Sequence, residues 1–344
     1  MTLRVAAIGP KGFGVYLLEG AQLTPSTGEA EAILAPGFFD IHVHGGNGID
    51  VMDASPEDVL RLCEYLAERG YEAFLPTTVT APLEAVNRVL AALPKHEMIA
   101  GIHLEGPFIS PQYPGAQPKE WIMPIPAADS MWNSVLDDPR LRVITLAPEL
   151  PGASGLIARL AARGVRIGMG HTDATFAQAS TGFLAGATQT THTFNAMRGF
   201  HHREAGIAGF ALAEAVLATE LIYDRLHVCP DAARILVRAK HADKLIAVSD
   251  GTAASGLPPG SRLSMWKHEA IVGEGDVRLP DGTLAGSAIT LLDAFQNLAA
   301  DFGVETAIRA TSLNPRKLLG LKEPPRVHLL FNMKFELLER RTIA

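Results

Sequence analysis

From about residue 37 onward, short apolar runs alternate with amphipathic segments, and this alternation limits the folds open to the chain. It is typical of βα units, in which helices cover a parallel sheet. Eight runs have the length of strands: FFDIHVH (38–44), EAFLPTT (72–78), MIAGIHLEG (98–106), RVITLAPE (142–149), VRIGMGHTD (165–173), ATQTTHTFN (187–195), ATELIYDRLHV (218–228) and KLIAVSDG (244–251). Eight strands favour a (β/α)₈ barrel of the TIM type, although a doubly wound open sheet fits the same alternation.

The segments between the runs carry helix signals. In SPEDVLRLCEYLAERG (55–70), Ser55 suits the N-cap, Pro56 the first helical position and Gly70 the stop. The chain ends differ, because residues 1–36 and 327–344 contain short β-like segments without helices. We therefore predict a small β-sandwich domain from residues 1–36 and 321–344 beside a barrel of residues 37–320. The Gly- and Pro-rich stretch 255–288 predicts a long excursion after the eighth strand.

Charge and composition exclude several classes of partner. The 344 residues carry a net charge of −7 and contain no basic run, which argues against nucleic acid and anionic membranes. No stretch reaches the ~18 apolar residues of a membrane span. Cys63 and Cys229 form no metal or redox motif, so a reduced, cytoplasmic setting is expected.

Imidazoles and carboxylates cluster at the carboxyl ends of the predicted strands. They are His42, His44, Glu105, His171, His192 and Asp250. In a barrel these ends meet at one rim, where barrel enzymes keep their active sites. Such groups suit Zn²⁺ or a similar divalent ion, and six can hold one ion or two that share a carboxylate. A single buried histidine is more often a core residue, with roughly one chance in three of a functional role. The joint placement on five strand ends favours the metal site.

Several motifs resemble one known family. GIHLEGPFIS (101–110), MGHTDATFAQA (169–179), THTFNAM (191–197), AVSDG (247–251), LAGSAITLLDA (284–294) and SLNPRKLLGL (312–321) are similar to those of the N-acetylglucosamine-6-phosphate deacetylases, which belong to the amidohydrolase superfamily. The resemblance runs from about Ala35 to Gly320. HLEGPF and THTFNAM are specific to these deacetylases, whereas PGFFDIHVH is shared by amidohydrolases in general.

The resemblance implies a role for each matched residue. Glu105, His171 and His192 match metal ligands, and His42 and His44 match a pair that holds a second metal in some members. Asp250 matches the catalytic aspartate. The implied substrate contacts are Ala116, Asn195, Ala196, Arg203, His227, Leu284, Ala285 and Gly286. The phosphate pocket of the family can draw on a neighbouring subunit, so a homodimer is expected.

The implied reaction suits these residue types. Hydrolysis of an acetamide needs a stronger nucleophile than neutral water and a polarised carbonyl, and a divalent metal supplies both. A rim carboxylate such as Asp250 can move the proton from the water to the departing amine. A sugar phosphate requires cations, which the stretch NAMRGFHHREAG (195–206) contains.

Two departures from the family pattern leave the substrate open. Gln117 stands where histidine is usual after the LEGPF motif, and Arg225 stands where glycine is usual before His227. Another N-acyl hexosamine is therefore an alternative substrate. A non-catalytic sugar-phosphate-binding barrel is a second alternative, although no metal ligand or aspartate is missing.

Overall fold

The computed structural model describes residues 3–266 and 268–342, and its centre is a parallel barrel. The eight barrel strands, numbered 1 to 8 in chain order, are Phe38–Val43, Tyr71–Thr78, Ile102–Glu105, Leu141–Leu146, Arg166–Met169, Gln189–Thr190, Ala218–Ile222 and Leu245–Val248. Each pairs in parallel with its neighbour in sequence. The ring closes through the bridge from Val43 to Gly251, where the His44 amide donates to the Gly251 carbonyl at 2.8 Å. The predicted barrel is confirmed.

Helices connect the strands and cover the barrel. The α-helices are Pro56–Glu68, Leu83–Ala92, Asn133–Leu136, Ala153–Ala162, Phe176–Ala185, Gly206–Ala213, Pro230–Ala239, Leu291–Phe302, Val304–Ile308 and Asn314–Leu318. A 3₁₀ turn spans Lys119–Trp121, and a π-helical turn spans Arg309–Leu313. None of these described helices is long and apolar enough to cross a membrane.

The first helix shows how local sequence sets these boundaries. The Ser55 hydroxyl accepts from the Asp58 amide, and the Asp58 carboxylate accepts from the Ser55 amide, so the helix begins with a capping box. Val59, Leu62 and Leu66 lie on one face and are buried in the layer between helices and strands. The helix spans residues 56–68, within the segment 55–70 for which the sequence predicted a helix.

The two chain ends form one six-stranded sheet beside the barrel. Its strands, in spatial order, are Leu337–Thr342, Val327–Phe331, Ala32–Pro36, Leu3–Gly9, Gly12–Glu19 and Gln22–Pro25. The expected β domain from both ends is therefore present, as a single hydrogen-bonded sheet rather than two separate ones. Residues 1–2 and 343–344 of the predicted domain lie outside the described residues, and its boundaries at residues 36 and 321 stay a prediction.

The excursion after barrel strand 8 is ordered as a second, antiparallel sheet. Its four strands are Arg262–Met265, His268–Val272, Asp276–Arg278 and Leu284–Ser287. We call it the inserted sheet. Val272, Val277 and Ala285 pack with Ala253 and Ala254 beneath it, which fixes the sheet over the barrel rim. A short hairpin of Gly45–Gly46 and Ile49–Asp50 follows barrel strand 1.

Candidate active site at the barrel rim

The six polar residues predicted at the strand ends meet in one buried cluster. His42 is the last residue but one of barrel strand 1 and His44 directly follows that strand, while Glu105 is the last residue of barrel strand 3. His171, His192 and Asp250 each lie two residues beyond barrel strands 5, 6 and 8. All six residues are at most 8% exposed. Their placement follows from the parallel barrel, because all its strands end at the same rim.

The six side chains form two groups of possible ligands. In one group, His44 Nε2 lies 3.2 Å from both His42 Nε2 and Asp250 Oδ1, and His42 Nε2 lies 3.4 Å from that oxygen. In the other, His171 Nε2 and His192 Nε2 are 3.1 Å apart, and each lies 3.2 Å from Glu105 Oε1. The ligand atoms within each group all lie within 4.8 Å of one another, which is the spacing needed to surround one ion.

Glu105 lies between the two groups. Besides its contacts with His171 and His192, its Oε1 is 3.3 Å from His42 Nε2, and its Oε2 is 3.3 Å from His44 Nε2. One carboxylate that faces imidazoles on both sides has the arrangement of a bridging ligand.

Hydrogen bonds on the far side of the rings favour metal binding. Nδ1 of His42 faces Glu220 at 3.2 Å, Nδ1 of His44 faces the Thr77 carbonyl at 3.2 Å, and Nδ1 of His171 faces the Tyr113 carbonyl at 3.1 Å. Because these oxygens accept hydrogen bonds from the Nδ1–H groups, they direct the Nε2 lone pairs toward the centre. Carbonyl and carboxylate partners of this kind accompany metal-binding histidines. The donor set therefore fits a divalent metal.

The charges of the cluster support the same conclusion. Burial alone lowers the pKa of His44, but hydrogen bonds to Asp250 and Glu105 raise it to about 9. Burial alone raises the pKa of Asp250, but the His42 charge and the His44 hydrogen bond lower it to about 2. The carboxylates thus hold positive charge between them, and a divalent metal bound there would take the place of the imidazole protons.

The backbone bends sharply where it delivers these side chains. His171, His192 and Asp250 have φ of 46°, 28° and 48°, in the left-handed region that costs a residue with a Cβ about 1–3 kcal/mol. Ala196, which follows the His192 turn, has φ of 45°. Residues in such conformations concentrate at functional sites, where the surrounding structure holds them in place.

A cavity of about 400 Å³ opens onto the cluster. Most of the substrate contacts implied by the resemblance line it: Ala116, Asn195, Ala196, His227, Leu284 and Gly286. Ala285 does not, because it is buried in the core of the inserted sheet. Arg203 does not line it either. Its guanidinium lies on an exposed loop and contacts His202 Nε2 at 3.0 Å.

The two departures from the family pattern have different surroundings. Gln117 is 5% exposed, accepts from the Thr80 amide at 2.7 Å and donates to Glu105 Oε2 at 2.5 Å. It therefore holds the carboxylate between the two groups. Arg225 forms a two-pronged pair with Asp301, at 2.8 and 2.9 Å, and does not line the cavity. Arg225 was expected to place a positive charge near the substrate, but its guanidinium points to Asp301 instead.

His227 is held by its neighbour in the same loop. Its Nδ1 lies 2.6 Å from Asp224 Oδ2, and Asp224 also accepts from the His227 amide at 2.8 Å. Although burial raises it, the contacts with His227 leave the pKa of Asp224 below its ordinary value. This pairing orients the His227 ring toward the cavity that it lines.

Sequence reasoning missed several residues of the site, among them two that line the cavity with large polar side chains and one that supports a histidine. Trp266 and Arg278 line the cavity from the inserted sheet, and the Trp266 ring lies 5.3 Å from that of His44. Glu220 supports His42 from the middle of barrel strand 7. For Glu220 a signal existed, since a carboxylate within the apolar run ATELI is unusual for a buried strand.

Comparisons with known proteins show the family to which the chain belongs. The Amidohydrolase family model matches residues 33–324. The chain is 38% identical to the N-acetylglucosamine-6-phosphate deacetylase of Bacillus subtilis (strain 168), over 85% of this chain and 76% of that protein. It is 36% identical to the N-acetylgalactosamine-6-phosphate deacetylase of Escherichia coli O157:H7, over 84% of this chain and 78% of that protein.

A solved structure agrees over almost the whole fold. A mutant N-acetyl-D-glucosamine-6-phosphate deacetylase from Mycobacterium smegmatis, in complex with N-acetyl-D-glucosamine-6-phosphate, superposes with a TM-score of 0.87 at 27% identity. The match covers 98% of this chain and 96% of that one. The chain therefore belongs to the amidohydrolase family, in the group that contains the N-acetylglucosamine-6-phosphate deacetylases.

Proposed function

We propose that the protein hydrolyses the acetamide of N-acetyl-D-glucosamine 6-phosphate, giving D-glucosamine 6-phosphate and acetate. The observation that carries the proposal is the buried cluster of four imidazoles and two carboxylates at the base of the cavity. Relatives with this activity share 35–38% of their residues with the chain over at least 84% of its length.

A divalent metal fits two places in the cluster. Glu105, His171 and His192 would hold one ion, and His42, His44 and Asp250 a second, with Glu105 shared between them. When bound, the metal lowers the pKa of water and polarises the acetamide carbonyl. We propose Zn²⁺, with Fe²⁺, Mn²⁺ or Co²⁺ compatible with the same ligands. Elemental analysis of the purified protein distinguishes one ion per subunit from two.

Asp250 is the group proposed to move protons. Its low pKa keeps the carboxylate ionised at neutral pH, so it is ready to accept a proton from the attacking water. Because Asp250 lines the cavity beside the imidazoles, it can return that proton to the departing amine. His227 lines the same cavity and suits either stabilisation of the developing oxyanion or contact with the sugar phosphate.

A second substrate is favoured by one comparison. The E. coli relative that acts on N-acetylgalactosamine 6-phosphate is 36% identical to this chain, about as similar as the relatives that act on the glucosamine compound. Deacetylation of this other N-acyl hexosamine phosphate is therefore the alternative. It uses the same acetamide chemistry and differs in how the cavity contacts the sugar.

Two further proposals concern the setting of the enzyme. We propose a homodimer, because Arg203 lies on an exposed loop outside its own cavity, from which it could reach a neighbouring subunit. Light scattering on the purified protein tests this. We also propose a cytoplasmic location, since Cys63 and Cys229 are unpaired and form no disulfide.

The first experiment is an acetate-release assay with four sugars: N-acetylglucosamine, N-acetylgalactosamine and their 6-phosphates. Each is measured before chelation, after chelation and after metal is restored. Metal-dependent release that favours a 6-phosphate supports the proposal, and the ratio of the two phosphates identifies the preferred sugar. Binding of the phosphates without acetate release at any metal content would instead indicate a non-catalytic sugar-phosphate-binding barrel.

A further inference from the structure

The cavity contains a cation that the sequence analysis did not assign. A protein with a net charge of −7 needs a local positive group to hold a phosphate, and the loop around Arg203 was expected to provide it. Neither arginine of that loop, Arg198 or Arg203, lines the cavity of its own chain. Arg198 pairs with Asp173 at 2.8 Å, and Arg203 contacts His202. Among the described residues that line the cavity, Arg278 is the one lysine or arginine.

Arg278 stands on a hairpin that forms one wall of the cavity. It is the last residue of the strand Asp276–Arg278 and pairs across the hairpin with Leu284. The Leu279 amide donates to the Thr283 carbonyl, and the Gly282 amide donates back to the Leu279 carbonyl, which closes the turn. Gly282, Thr283 and Leu284 line the same cavity, so Arg278 and the turn that follows it form one stretch of the wall.

The Arg278 guanidinium is anchored by two hydrogen bonds and keeps further N–H groups with which it can bind a ligand. Its Nε donates to Asp276 Oδ2 at 2.6 Å, and its Nη1 donates to the Gly282 carbonyl at 2.9 Å. Nη2 has no hydrogen-bond partner among the described residues, and half of the side chain is exposed. Because arginine carries five N–H donors in a planar fork, it can keep these two partners and still bind a phosphate oxygen. An anchored side chain also loses little conformational entropy when it binds.

The cluster of imidazoles and carboxylates lines the same cavity as Arg278, and it fixes which end of a substrate lies beside it. An acetamide must lie at the cluster, so the anionic end of the substrate must point toward another part of the wall. We propose that Arg278, supplied by the same chain as the metal ligands, binds the phosphate of the substrate and sets the preference for phosphorylated sugars. This inference rests on the proposed function and adds a phosphate-binding residue to it.

The test compares three variants on phosphorylated and unphosphorylated N-acetylglucosamine. R278Q removes the charge, R278K keeps a charge without the fork, and R262Q removes an exposed arginine of the inserted sheet that pairs with Glu269 outside the cavity. A charged hydrogen bond of ordinary strength predicts that R278Q lowers kcat/KM for the 6-phosphate about 10- to 100-fold, mainly through KM. The unphosphorylated sugar should be unaffected, R278K should recover part of the loss, and R262Q should behave as wild type.

Calorimetric binding of D-glucose 6-phosphate, which has no acetamide, separates this inference from the proposed function. Weaker binding to R278Q but not to R262Q supports Arg278 as the phosphate ligand even if no acetate is ever released. If acetate is released and R278Q keeps the phosphate preference, the inference is wrong while the function stands. It is equally wrong if R203Q alone abolishes that preference, or if R278Q loses activity equally on both sugars.

Discussion

The proposed role of Asp250 as proton acceptor can be tested directly by substitution. Its carboxylate contacts His42 and His44 and lines the cavity, so Asp250→Asn removes the proton acceptor with little change in shape. We expect kcat to fall roughly 10²- to 10⁴-fold, the usual contribution of general acid–base catalysis. Steady-state kinetics measure this, with the metal content of the variant determined in parallel. A fall in rate that adding metal fully reverses would show that Asp250 acts as a ligand and not as the base.

Arg225 illustrates how a residue that looks functional in sequence can be structural. It adopts φ of 67°, which suits the glycine common in the family, and its guanidinium pairs with Asp301. Arg225→Gly relieves a strain of about 1–2 kcal/mol and loses an exposed ion pair worth about 0–1 kcal/mol. We therefore expect the unfolding free energy to rise by about 0–2 kcal/mol and kcat/KM to change by no more than about twofold.

The control for that variant is His227→Ala, which removes a side chain that lines the cavity from the same loop. It should lower kcat/KM for the phosphorylated sugar clearly, whereas R225G should not. Chemical denaturation and kinetics on both proteins give the comparison. Equal losses in the two variants would mean that Arg225 reaches the substrate after all.

The residues that sequence could identify are those whose position the barrel alone determines. The six cluster residues lie at or just beyond strand ends, and parallel strands bring those ends together whatever the conformation of the loops. Trp266 and Arg278 come to the cavity through the packing of the inserted sheet on Ala253 and Ala254, a long-range contact that no local pattern records.

The secondary-structure elements also divide into those that local sequence predicts and those that it does not. All eight barrel strands were predicted, but several predictions ran past the true end; ATQTTHTFN covers 187–195, whereas barrel strand 6 is Gln189–Thr190. The chain leaves the strand because His192 turns to positive φ, which apolar patterning does not reveal. The inserted sheet was predicted only as an excursion, since its strands have three to five residues and many glycines and prolines around them.

The inserted sheet also contacts the backbone that positions Asp250, and the contact is made at Gly286. This residue has φ of 61°, and an added Cβ would lie 2.5 Å from Thr252 Cγ2 and 3.0 Å from the Asp250 carbonyl oxygen. Gly286→Ala must therefore displace the backbone that carries Asp250. We expect a loss of stability of about 1–3 kcal/mol and a larger fall in kcat than in substrate affinity.

Gly260→Ala is the matched control, because Gly260 lies just before the inserted sheet and has φ of 86°, but no atom lies within 4 Å of an added Cβ. The G260A variant therefore has the strain of a positive φ but no steric clash between the new Cβ and a neighbouring atom. The midpoint temperature of thermal unfolding should be lower in both variants, whereas kcat should fall only in G286A. If G260A loses as much activity as G286A, backbone strain explains the effect and the contact with Asp250 does not.

At the scale of the whole molecule, a buried carboxylate joins the barrel to the six-stranded sheet of the chain ends, here called the end sheet, at the face opposite the rim cluster. Glu72 is 3% exposed, pairs with Arg316 at 2.7 Å and accepts from the Arg326 amide at 3.0 Å. It thus links barrel strand 2, the last helix and the strand that enters the end sheet. Rings of Phe38, Phe295 and Phe331 pack nearby across the same junction.

Glu72→Gln leaves the buried Arg316 without its counter-charge, and breaking one side of a buried pair costs roughly 3–5 kcal/mol. Glu97→Gln is the control, because Glu97 pairs with Arg326 on the surface, where such a bridge is worth about 0–1 kcal/mol. Urea unfolding should show a large loss of stability for E72Q and almost none for E97Q. Since Glu72 lies at the start of barrel strand 2, away from the rim that carries the ligands, kcat of folded E72Q should stay near that of wild type. Equal stability of the two variants would mean that apolar packing, and not this carboxylate, holds the end sheet to the barrel.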